Sequence, residues 1–293
     1  MKRLAVTSVI LALSCVSLAA DLPKPVASSN PHPNEAVLRQ EKLNALSGVQ
    51  PSPAATTDCS FTFTSGINNN TLEYCVTANG NIAEFQTPIG HPLVSVEDRS
   101  EGYAICDVSN NTSRVAYSDF ADFGDTGNWN SPVIVSHSAT SVKIARTTSD
   151  GIWTLTQTIT QMAPTASVKI LMALKNNTAV SREAFLVRWA DVDADDFVGN
   201  NFDGTFSSAF GWNSISSESA SPVGLLLQNL STLQGIGSEA FGQNTFRPPN
   251  PCNPGVNFVT APLLDTDGSL VLLYDMTVPK NSSKSVTMTY KGL

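Results

Sequence analysis

The chain has 293 residues, 41% of them hydrophobic, which is enough for a large core and excludes a disordered polypeptide. Only 14% are charged, the net charge is −8 and no basic patch is visible, so nucleic acid is excluded as a partner. Ser, Thr and Asn are abundant, the composition of an extracellular β surface.

Lys2 and Arg3 precede an apolar run from Leu4 to Ala20, a basic segment followed by a signal-peptide core. Ser17 and Ala19 occupy the two positions a signal peptidase reads, so cleavage is expected after Ala19 or Ala20, making residues 1–20 a signal peptide. The run is short and carries Thr7, Ser8, Ser14 and Ser17, unlike a membrane anchor, and no later segment is apolar enough to span a bilayer. Ala12-Leu13-Ser14 is a poor lipidation motif for Cys15. The expectation is a secreted, periplasmic or cell-surface protein. Residues 21–57 read as a Pro-rich linker with a helical interlude: Asn34 caps a helix running to about Leu46, and Gly48 ends it. Val37, Leu38, Leu43 and Leu46 give that helix a loose apolar face, and it is expected to be a frayed tether rather than a docked element.

From residue 58 to 293 a period of two dominates, the pattern of half-buried strands. Phe61 and Phe63 alternate with Ser and Thr, and Leu72, Tyr74 and Val76 alternate with Glu73 and Cys75. Asn79-Gly80 predicts a type I′ hairpin turn, and Asp150-Gly151 marks another between Val142–Arg146 and Ile152–Ile159. Val168, Ile170, Met172 and Leu174 line one strand, and Phe185, Val187 and Trp189 line the next. The C-terminus closes with a hairpin from Leu270 to Tyr290 around a polar turn. More than ten strands with short turns and no long helix predict an all-β fold, a large antiparallel β-sandwich in one domain.

Apart from Cys15 the chain has Cys59, Cys75, Cys106 and Cys252, an even set that suits an oxidising compartment and is too widely spaced for a compact zinc site. A hairpin turn at Ser65 to Asn70 brings Cys59 nearly opposite Cys75, which leaves Cys106 for Cys252.

The run from Ser141 to Asp195 resembles the galactose mutarotase-like super-sandwich domains of secreted carbohydrate-active proteins. The matching stretches are the strands Ser141–Arg146, Trp153–Thr160 and Ser167–Asn176, the turn at Lys175-Asn176-Asn177, and Leu186-Val187-Arg188-Trp189-Ala190-Asp191; the hairpin Leu272–Tyr290 is similar to the last one of those domains. The resemblance implies a super-sandwich fold and a carbohydrate partner. The mutarotases' two catalytic histidines and glutamate do not carry over. His32 lies in the linker, and His91 and His137 read as surface histidines at a turn and a strand end.

Asp191, Asp193, Asp195 and Asp196, followed by Asp203, place five carboxylates in thirteen residues without a Lys or Arg among them. Such a loop supplies the hard oxygen ligands of calcium, although Asp196 and Phe202 stand where an EF-hand needs Gly and Glu. The alternative is a turn whose side chains cap backbone amides. A second group, Asp119, Asp122 and Asp125 beside Trp129, has the residue types of a sugar site, where an aromatic face stacks on a pyranose and carboxylates take its hydroxyls; an anchoring aromatic in a Gly-rich loop is the competing explanation. Neither a GxSxG elbow, an HExxH helix, a phosphate-binding glycine loop nor a dinucleotide fingerprint is present. The sequence therefore points to an exported non-catalytic β-sandwich that binds glycan or a cell-surface polymer, with calcium as a structural ion. The alternatives are a carbohydrate-active hydrolase, lyase or epimerase that works through carboxylates, and a structural surface or envelope protein.

Overall fold

The computed structural model describes residues 35–46, 58–67, 70–94, 101–109, 113–213, 223–232, 236–254 and 262–292. The expected signal peptide and most of the expected linker lie outside them. With strands numbered in chain order, eighteen antiparallel strands form three sheets among these residues. The largest has the order β16 (Leu263–Thr266), β12 (Asn200–Thr205), β13 (Ser208–Asn213), β14 (Val223–Asn229), β18 (Ser283–Gly292), β10 (Ser167–Asn176), β9 (Trp153–Gln161), β8 (Ser141–Thr147) and β7 (Val133–His137). Five strands form the second, in the order β15 (Ile236–Gln243), β17 (Ser269–Val278), β11 (Arg182–Asp191), β5 (Glu101–Asp107) and β6 (Val115–Asp119). The third contains β1 (Cys59–Ile67), β2 (Asn70–Thr77), β3 (Ile82–Gln86) and β4 (Pro92–Val94). One α-helix, α1 (Glu35–Leu46), is described, and among the described residues no helix is long and apolar enough to cross a membrane.

Sequence alternation translates directly into layers. On β8, β9 and β10 every second residue is buried, so Ile144, Leu155, Ile170 and Met172 face one core with Val286 and Met288 of β18. Across that core stand Ile105, Leu186, Leu272 and Tyr274 of the five-stranded sheet, and the small sheet adds Tyr74, Val76 and Phe85. This is the all-β antiparallel sandwich the patterning predicts.

Two local details differ from expectation. The Asn79-Gly80 turn is not type I′, because neither Ala78 nor Asn79 has positive φ. Instead the Gly80 amide donates to Thr77 O at 3.0 Å and Gly80 itself sits at φ 94°, closing the turn with a left-handed glycine. In the first hairpin, Thr62 stands opposite Cys75 and Cys59 opposite Thr77, with a register shift between Cys59 and Phe61. The displaced start of β1 leaves the Cys59 and Cys75 Cα atoms 5.5 Å apart, and the two are bridged. A second disulfide joins Cys106 on β5 to Cys252 in the Pro-rich segment after β15. Both pairs are those the sequence predicts.

Buried charge crosses the core at one level. Arg188 and Glu101 form an ion pair with no exposed surface, Tyr290 Oη donates to Glu101 Oε1 at 2.6 Å, and Arg188 Nη1 donates to Gln157 Oε1 at 2.6 Å. The pair itself joins neighbouring strands of one sheet, and its hydrogen bonds to Tyr290 and Gln157 reach the other; such a pair is costly to desolvate and costlier to break.

Candidate functional site

The outer face of the five-stranded sheet carries the site. Side chains two apart on a strand share a face, so Asp191 projects from the same side of β11 as Trp189 and Val187. That side is covered: Trp189 and Val187 are buried beneath Phe120 and Phe241, with Phe123 packed alongside, and Phe120 and Phe123 meet the Trp189 ring edge-on at 5.6 and 5.7 Å. β11 is consequently buried on both faces from Leu186 to Asp191. Ladder pairing places Ser269 opposite Asp191 and Gln243 opposite Ser269, which adds a polar row at the edge of this aromatic patch.

Beyond the strand, Asp193 and Asp267 join Asp191, each offering an oxygen within 4.8 Å of the others. Asp191 and Asp193 are 2% and 3% exposed. The charge that meets them comes from a segment the sequence assigned to a tether. Lys42 of α1 is 1% exposed, and its Nζ donates to Asp191 Oδ2 at 2.7 Å and to Asp193 Oδ2 at 2.6 Å. The same ammonium stands 5.8 Å from the Phe246 ring centre. Burial pushes the Asp191 carboxyl well above the usual carboxylate range; Lys42 pulls it down, and Asp193 and Asp267 push it up again.

The expectation of a frayed tether is therefore corrected: α1 is docked, and by its charged face. Val37 and Leu43 of the supposed apolar face are 55% and 53% exposed. Glu35, Arg39 and Lys42 stand at i, i+4 and i+7, one side of a helix. Glu35 accepts the amides of Val198 and Gly199 at 3.2 and 3.0 Å, and Arg39 donates to the carbonyl of Asp196. The loop so held is unusual in its backbone, with Asp195 and Asp196 both at φ 60°, a region that only Gly, Asn and Asp visit readily. α1 satisfies the backbone groups this conformation turns outward.

The five aspartates of the loop are thus divided. Asp191 and Asp193 converge on Lys42, with Asp267 as a third carboxylate that the sequence reading missed. Asp195 turns to His91 on the chain before β4, Nδ1 to Oδ1 2.7 Å, so His91 is a half-buried partner rather than a plain surface residue. Asp196 follows in the same short turn, and Asp203 lies on β12, its Oδ1 accepting the next backbone amide, that of Gly204, at 2.7 Å. His137 is exposed and lies against the Phe61 ring at 4.8 Å.

The second sequence-predicted group does not offer a stacking face. Trp129 is 8% exposed, wedged edge-on against Tyr103 and Tyr117, with its Nε1 donating to Ser118 O at 3.2 Å. Arg146 lies 5.0 Å over its ring and binds both Asp119 and Asp125. Trp129 is the anchor of its loop, because an indole between two tyrosines gains more from burial than from exposure. Asp122 sits in the 3-10 turn Ala121–Phe123.

No family model matches the chain, and no curated protein matches it. Solved structures do. A bacterial glucoamylase complexed with acarbose superposes with a TM-score of 0.50 at 11% identity, over 83% of this chain and 34% of that one. A polysaccharide lyase gives 0.46 at 13% identity, covering 77% and 33%. A galactose mutarotase-related enzyme from Lactobacillus acidophilus gives 0.38 at 6% identity, covering 80% and 97%. The chain spans about a third of the length of the first two. The likeness is one of fold.

Proposed function

We propose that the chain is an exported, non-catalytic β-sandwich module that binds glycan or a related cell-surface polymer. The observation that carries this reading is the engagement of its buried carboxylates. Among the described residues, Glu101 is tied to Arg188, Asp119 to Arg146, Asp107 to Arg182, and Asp191 and Asp193 to Lys42. A glycosidase or lyase that works through carboxylates needs two of them facing substrate across an open cleft, one free to exchange a proton. Here five buried acids among the described residues are held by cations of the chain itself. The class of partner is supported by the likeness in fold to a bacterial glucoamylase solved in complex with acarbose. Calcium is the ion we assign to the Asp191–Asp193–Asp267 cluster, since carboxylate oxygens are its preferred donors.

The test pairs binding with turnover. The secreted chain is applied to a glycan array and to insoluble polysaccharides, and bound polymers are then assayed for new reducing ends and unsaturated uronides. Retention on polymer without product supports the reading. Release of either product contradicts it, and so does a failure to bind any glycan.

A further inference from the structure

Resting on that assignment of a cation site, we propose that α1 is a latch: Lys42 is an intramolecular stand-in for calcium, and calcium binding at Asp191, Asp193 and Asp267 displaces it and releases the helix from the sheet. Three observations support an exchange of cations. First, the pocket already holds one, an ammonium at 2.6 and 2.7 Å from two carboxylates. Among the described residues that one ammonium is shared by two of the three clustered acids, and a divalent ion in its place carries twice the charge.

Second, the pocket has unused oxygen. Asp191 is 2% exposed, yet its Oδ1 has no hydrogen-bond partner among the described residues while Oδ2 binds Lys42. Gln243, on the row Gln243–Ser269–Asp191, is fully buried with Oε1 likewise unpartnered among the described residues. A lysine ammonium has three donors and cannot serve a shell this rich in acceptors, but calcium takes six to eight oxygens.

Third, α1 is attached in a way that cations can undo. Its contacts with the loop are ionic and polar, through Glu35, Arg39 and Lys42, while Val37 and Leu43 face solvent. Withdrawing Lys42 removes the one buried side chain among the described residues of a 12-residue helix, too short to persist alone in water. Its departure takes the ammonium from over Phe246, whose ring is 6.3 Å from that of Phe123. That would couple calcium to an aromatic ring of the kind that stacks on sugar rings.

The experiment uses the full secreted chain with a dye on Ala36→Cys, an exposed position at the start of α1. Dye anisotropy and calorimetric calcium binding are followed together, with magnesium and potassium chloride at matched ionic strength as controls. The expected result is calcium binding with a fall in anisotropy over the same concentrations, and no fall with either control. Lys42→Met should bind calcium about tenfold tighter or more, because apparent affinity falls by the fraction of molecules that are competent. Calcium binding at equal affinity to both proteins with α1 still docked overturns the latch but leaves the cation site. Binding to Lys42→Met alone does the same. Absence of calcium binding by either protein overturns the assignment of the site itself. If Lys42→Met does not fold, the wild-type comparison of calcium with magnesium and potassium still decides whether the helix is released.

Discussion

Lys42→Met removes the cation from a pocket whose two carboxylates stay behind. The Lys42 side chain is 2% exposed and those of Asp191 and Asp193 are 1% and 4%, so solvent does not screen the loss. Breaking a buried ion pair by deleting one partner costs about 3–5 kcal/mol, most of it the penalty of an uncompensated charge. The loss is capped by the free energy that docks α1, since undocking lets water reach the carboxylates. A fall of about 3 kcal/mol corresponds to roughly 6–12 °C in Tm, at about 2–4 °C per kcal/mol for a domain of this size. The decisive comparison is a cycle of thermal melts. In an Asp191→Asn, Asp193→Asn, Asp267→Asn background the same Lys42→Met change should cost about 1 kcal/mol or less, because no carboxylate of the cluster is stranded. Leu43→Ala, one residue along the helix and 53% exposed, should stay within about 0.5 kcal/mol of wild type. Equal cost of Lys42→Met in both backgrounds would refute the reasoning.

Three further outcomes are expected. Burial pushes the Glu101 and Asp119 carboxyls up despite Arg188 and Arg146, so the folded protein holds their protons more tightly than the unfolded chain. The stability this gives is complete below the ordinary carboxylate range near pH ~4 and is lost as pH rises through the folded values. At Asp150 burial is outweighed by hydrogen bonds from Thr148, Tyr117 and the Ile152 amide and by Arg182, so its carboxyl is depressed and its contribution is lost as pH falls through that lower value. Melts should therefore show greater stability in mild acid than in mild alkali, and a monotonic rise of Tm with pH would be inconsistent with this. Replacing Cys106 and Cys252 by Ala should destabilise more than replacing Cys59 and Cys75, because the loops closed span 146 and 16 residues; the chain-entropy model gives about 5 against about 3 kcal/mol, and the reverse order in denaturant melts would count against it. Intact-mass analysis of the secreted protein should find a chain starting at Ala20 or Asp21, and material retaining Met1 would end the export expectation.

The strands were legible because burial on one face imposes a period of two, which β8 and β9 display throughout and β10 and β18 over most of their length. The disulfides were legible because one hairpin restricts two of the four partners. The site was half legible. A run of aspartates announces a polar loop, but sequence does not say which of them converge: Asp195 and Asp196 take left-handed backbone, and Asp195 turns to His91. Asp267 joins from 76 positions beyond Asp191, by strand pairing of β17 with β11 that no local pattern encodes. The helix reads as a frayed tether because its apolar face is loose and its charged face was not weighed as a docking surface. The signal that was present is the spacing of Glu35, Arg39 and Lys42, a charged stripe on a chain with few charges. Trp129 was ambiguous for a related reason, since an indole in a Gly-rich loop serves as anchor or platform, and only the arrangement of Tyr103, Tyr117 and Arg146 around it decides which.

The central claim is that α1 is an integral, charge-docked part of the domain, and amide hydrogen exchange tests it most directly. Peptides covering 35–46 and 193–199 are followed in wild type and in Lys42→Met, with β10 and β18 as internal references. The account predicts that both segments are protected in wild type and lose protection together in the variant, while the reference strands are unchanged. An unprotected helix in wild type, or loss of protection in the helix with the 193–199 loop unaffected, would contradict it.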